Sequence, residues 1–120
     1  RTANRNLLRV QQAGITIAAG SDAGNIGSLH GPGLHHELEL MVDAGLDPAQ
    51  VLLAATRGGA QVLGRSSELG QLEPGMLADL LVLDADPLVN IRNARRIALV
   101  VAGGRVVQCN TDALPAVCPN

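Results

Sequence analysis

The run Ile15-Thr16-Ile17-Ala18-Ala19 is the one strand signal between residues 1 and 65, and that scarcity bounds the fold more than any other feature. Short, mostly apolar and β-branched, it predicts a strand buried on both faces, as in sheets covered by helices. A lone strand forms no sheet. It runs directly into Gly20-Ser21-Asp22-Ala23-Gly24, a small-residue segment of the kind found where a strand hands over to a loop.

The elements around that strand are read from period and punctuation. Ala3, Leu7 and Val10 at i, i+4, i+7 predict a helix over 2–13, stopped at Gly14. A glycine-rich loop containing Asn25, Ser28, His30 and Pro32 leads to a helix over 33–43 with the stripe Leu34, Leu38, Met41 and Val42, ended by Gly45. Asp47-Pro48 is an N-cap followed by a first-turn proline and opens a helix to about Ala55. Thr56 is read as the cap of a further short helix ending at Gly64. After Arg65 the pattern turns to strands: 78–83, 97–101 and 105–107, the last two joined through Gly103-Gly104, a hairpin signature. Three or four short strands bury too little to cover both faces of a sheet, so they call for partner strands from elsewhere. The expected organisation is an α/β part over 1–65, β-strands over 66–108 and a flexible tail over 109–120.

Composition removes several functions. The 120 residues include no Phe, Tyr or Trp, and all nine basic residues are Arg. Without aromatic rings there are no stacking platforms for single-stranded nucleic acid, and a formal net charge of -2 with no basic run argues against an electrostatic nucleic-acid binder. No apolar stretch approaches the roughly 20 residues of a membrane helix. No lysine is present to act as Schiff base or phosphate cation. Ser21, Ser66 and Ser67 lack the G-x-S-x-G elbow of serine hydrolases, and Asp84-x-Asp86 followed by Pro87 lacks the glycine and distal glutamate of a calcium loop. Turn capping accounts for Asp79, Asp84 and Asp86 better. Cys109 and Cys118 leave two readings open, a small disulfide loop in an oxidising compartment or two free thiols. Localisation is therefore open, with the cytoplasm slightly favoured and an extracytoplasmic setting allowed by these cysteines.

Four stretches, in this order, resemble the C-terminal region of amidohydrolase-superfamily metalloenzymes of the imidazolonepropionase-like and Xaa-Pro dipeptidase-like branch: ITIAAGSDAG from Ile15, HGPGLHHELELMVDAGLDPAQVLLAATRGGAQVLG from His30, LGQLEPGMLADLLVLDADPL from Leu69, and VVAGGRVV from Val100. The resemblance implies the last strand and following helices of a TIM (β/α)8 barrel, plus part of a small accessory β-sandwich. A complete barrel takes roughly 250 residues, more than this chain supplies. Together with a start at Arg1 rather than Met, this gives the expectation of a piece of a longer protein.

Asp22 follows the strand directly, at the carboxyl end where barrel active sites lie. A carboxylate is a hard ligand for a divalent ion and can accept a proton from attacking water. The resemblance implies both roles for Asp22, metal ligand and general base, with one or two ions and Zn²⁺ as the expected metal. Ser-Asp-Ala-Gly is also good turn chemistry. His30 lies in the loop that would line the mouth of the site, where it contacts substrate or orders the loop. His35 and Glu39, at i, i+4, share a helix face but match no ligand position of the family; a solvated face is the better reading. The family's His-x-His pair and its lysine or glutamate ligand are absent from this sequence, so the 120-residue chain is expected to be inactive alone. The implied partners are a small amide or dipeptide-like substrate, the remainder of the barrel, and a second copy in a homo-oligomer, with neither nucleic acid nor membrane. The competing reading is a non-catalytic fragment or pseudoenzyme that acts as an oligomerisation module through exposed strands.

Overall fold

A computed structural model of the chain describes residues 2–24, 26 and 29–118; Asn25 and Ser28 of the glycine-rich loop lie outside the described residues. Helix α1 spans Thr2–Gln12, α2 Pro32–Asp43 and α3 Pro48–Leu53. Strands β1 (Leu80–Leu83), β2 (Ile97–Ala102) and β3 (Arg105–Cys109) form one antiparallel sheet in that order.

Local chemistry explains the helix starts. Pro32 begins α2, and Asp47 begins α3 with a complete capping box: its carboxylate accepts from Gln50 N at 2.9 Å, while Gln50 Oε1 accepts from Asp47 N at 3.1 Å. Thr56, read as a cap, is not one. The chain stays helical through a π turn over Ala54–Gly58 into α4, Gly59–Val62, and the Thr56 hydroxyl donates back to Leu52 O at 2.8 Å. A hydroxyl that bonds one turn back sits inside a helix, which it tends to bend, rather than starting one.

The expected strand at 15–19 joins no ladder among the described residues. A strand of a parallel sheet needs neighbours for its backbone groups, and the described residues provide a local bond from Ile15 N to Val10 O at 3.2 Å and one long-range bond, from Ala19 N to Ala54 O at 3.0 Å. The stretch is held instead by packing. Ile17 and Ala19 lie against the core, and Gly58 approaches so closely that an added Cβ would come 2.1 Å from Ile17 O.

One core runs across the expected boundary near residue 65. Leu38 and Met41 of α2, Leu46, Val51 and Ala54 form a single buried cluster with Ile91 and Ala94. Those last two belong to a 3-10 helix, Ile91–Arg95, that periodicity missed because five residues are too few to show a period. Asn90 caps it by accepting from Arg92 N at 3.0 Å. An ion pair reinforces the junction. Glu39 on α2 accepts from Arg95 Nε at 2.9 Å and Arg95 Nη2 at 2.7 Å, with Arg92 Nε at 3.3 Å.

The hairpin between β2 and β3 turns at Gly103 and Gly104, φ 56° and 76°, the left-handed pair a two-residue turn needs. Asp79 secures it by accepting from Gly103 N at 2.6 Å. Among the described residues this sheet has no second sheet facing it. Leu81 and Val107 are 53% and 61% exposed. Beyond β3 the chain makes two successive turns, and Cys109 and Cys118 are disulfide-bonded.

Candidate functional site at the end of the 15–19 stretch

Among the described residues, Asp22 is the only non-glycine with positive φ, at 45°. Left-handed backbone is uncommon for residues with a Cβ; aspartate tolerates it better than most because its short side chain bonds locally. The strain sits directly after the apolar stretch that packs on the π turn. Asp22 is exposed, and Ser21 beside it is half-buried. The apolar stretch thus fixes the chain up to Ala19, and the small residues after it lift a carboxylate to the surface.

His30 is in the turn that leads into α2, exposed, and its ring lies over the Gly24 turn: Nε2 is 3.9 Å from where a Gly24 Cβ would stand. Gly24 has φ 111°, and a side chain there would be strained in its backbone as well as placed against this imidazole. The fold therefore brings the His30 ring to the same loop as Asp22, two residues beyond it. A concavity of about 260 Å³ opens elsewhere, at the start of the 15–19 stretch between Gln11, Thr16, Gln50 and Arg57, and includes neither Asp22 nor His30. It is a gap between packed elements, without a convergent set of reactive groups.

The remaining candidates resolve into structural roles. Glu39 is fully engaged by Arg92 and Arg95, which hold its carboxyl below the usual glutamate range, the Arg95 hydrogen bond foremost. His35 has its Nδ1 buried without a hydrogen-bond partner; burial, then the Arg95 charge, keeps its pKa below the ordinary value of 6.5. This i, i+4 pair therefore serves the junction with the 3-10 helix. Asp84 pairs with Arg96 at 2.6 Å, and Asp86 accepts from Leu88 N at 2.8 Å as a turn cap. No group of three or more His, Cys, Asp or Glu that could hold a metal occurs among the described residues. Among the described residues no helix is long and apolar enough to cross a membrane.

The amidohydrolase family model matches residues 2–107, and the chain belongs to that family. Its relatives place it in the imidazolonepropionase-like and Xaa-Pro dipeptidase-like branch. It is 35% identical over 104 residues to an imidazolonepropionase of Salinispora arenicola, covering 84% of this chain and 26% of that protein. Among solved structures, molinate hydrolase superposes with a TM-score of 0.80 at 30% identity, over 100% of this chain and 28% of the other. A Xaa-Pro dipeptidase with methionine bound in its active site gives 0.79 at 28% identity, over 88% and 25%. The chain thus spans about a quarter of the length of the relatives it matches.

Proposed function

We propose that this chain is the part of a metal-dependent amidohydrolase that carries the catalytic aspartate, and that the whole enzyme hydrolyses a C–N bond in a small cyclic amide or dipeptide-type substrate. The observation that carries the reading is Asp22: an exposed carboxylate in left-handed backbone, immediately after the apolar stretch that ends on the helical layer. Strained backbone at a chemically competent residue points to a site rather than to a turn of convenience. Imidazolonepropionase and Xaa-Pro dipeptidase, the names carried by similar proteins, suggest the substrate class.

A divalent ion at this position, with Zn²⁺ our choice, would supply Lewis-acid polarisation and make water more acidic. Asp22 fits as one oxygen donor to one or two such ions but cannot hold them alone, since catalytic zinc sites use about three protein ligands. The other donors belong to parts of the enzyme outside this chain. Asp22 takes the proton of the attacking water at a carboxylate oxygen and hands it to the leaving nitrogen, so one group serves as base and then acid. His30, at the same loop, contacts the substrate from the mouth of the site. The exposed apolar residues Ile15, Leu53, Leu81 and Val107 are covered by the rest of the barrel and by further strands of the accessory sheet.

Asp22→Asn in the full-length enzyme tests the reading, because it keeps the shape and removes the base. We expect kcat on Xaa-Pro dipeptides or cyclic amides to fall about 10³-fold or more, with an unchanged melting temperature. A near-normal kcat in a folded variant would overturn the assignment.

A further inference from the structure

Burial does not account for how the chain is held between Asn110 and Cys118. No residue there is fully buried; Ala113, Leu114 and Cys118 are half-buried, and Val117 is 57% exposed. Its own hydrogen bonds are local, with Ala113 N and Leu114 N donating to Asn110 O and Val117 N and Cys118 N donating to Leu114 O. Turns of this kind, without an apolar face, open readily in water.

The two ends of the segment are different. Cys109 lies opposite Leu99 of β2, which is 8% exposed, and Asn110 N donates at 2.8 Å to the carbonyl of Ala98, which is 3% exposed. The segment therefore starts from the best-buried part of the sheet. Its turns bring Cys118 back until the two Cα atoms stand 5.5 Å apart, and the sulfurs are bonded. These are the only two cysteines within the 120 residues.

We propose that the protein works in an oxidising compartment, where the Cys109–Cys118 bond forms and acts as the clamp on residues 110–118. Reducing cytosolic conditions keep such thiols apart, whereas oxidising compartments maintain the bond. Its formation is thiol–disulfide exchange with a disulfide-bearing protein oxidant. One chain thiolate attacks a sulfur of the oxidant's disulfide and expels the other as thiolate. The second chain thiolate then attacks the chain sulfur of the mixed disulfide and releases the remaining oxidant thiolate. Two electrons and two protons leave the cysteine pair, and the oxidant departs as a dithiol. This inference does not depend on the hydrolytic role of Asp22.

The test is alkylation inside cells that make the full protein, before lysis, followed by mass spectrometry. Both cysteines should resist labelling until a reductant is added. Hydrogen exchange on the purified full protein should then show the Ala113, Leu114, Val117 and Cys118 amides exchanging about tenfold faster after reduction, with α2 and β2 unchanged. Cys118→Ser should exchange like the reduced protein. Labelling of either cysteine before reduction, or exchange at those amides unaltered by reduction, overturns the proposal.

Discussion

At the scale of the single residue, the informative contrast at Asp22 is between glycine and alanine. Neither can act as a base, so neither should support turnover. They differ in backbone freedom: φ of 45° is easy for glycine and strained for alanine. Asp22→Ala should therefore be less stable to denaturant than Asp22→Gly by about 1 kcal/mol. Equal stability would show that the left-handed backbone costs nothing here. The position of Asp22 was legible in the sequence because a β-branched run ends in Gly-Ser-Asp-Ala-Gly. Its backbone strain was not, since aspartate is also common in unstrained turns. His30 was legible as a loop residue, but its placement over Gly24 depends on how the loop closes.

At the scale of the element, the junction between the 15–19 stretch and the π turn is the tightest approach of two segments that Gly58 takes part in. Gly58 has ordinary helical backbone, φ -60° and ψ -44°, so a side chain there meets no backbone strain. What it would meet is Ile17 O at 2.1 Å and Ile17 C at 3.1 Å, main-chain atoms that no rotamer change moves away. Gly58→Ala should destabilise the fold by about 3 kcal/mol, read from denaturant unfolding. An undiminished midpoint would mean that the stretch is free to shift off the helix. Glycine, proline and capping signals located α1, α2, α3 and the β2–β3 hairpin to within a few residues. They failed at Thr56, where a residue that often caps helices instead bonds backward inside one. They also failed at 15–19, where an apolar run predicts a strand but ladder bonds depend on neighbours that a single run does not specify.

At the scale of the whole molecule, α2 and the 3-10 helix are coupled through titratable groups. Glu39 gives up its proton more readily in the fold than its ordinary value of 4.5 implies, and His35 is likewise held below 6.5. Both bind protons more weakly folded than unfolded, so the unfolded chain carries more protons and stability rises with pH across both ranges. The stabilisation is present above these ordinary values and is lost as pH falls through the lowered ones. Denaturation midpoints should therefore begin to fall below pH 6.5 and fall further below pH 4.5. His35→Gln should flatten the upper limb, and Glu39→Gln the lower; a midpoint independent of pH across both would refute the coupling. None of this was visible in the sequence, where Glu39 and Arg95 stand 56 residues apart. Nor could two cysteines declare their own oxidation state, which the surroundings decide. The shared core carries a further consequence. Ile91 and Ala94 pack with Leu38 and Met41 in one cluster, so a recombination crossover near residue 65 between diverged family members would join surfaces selected apart. Viable chimaeras of such enzymes should inherit α2 and the 3-10 helix together, from one parent.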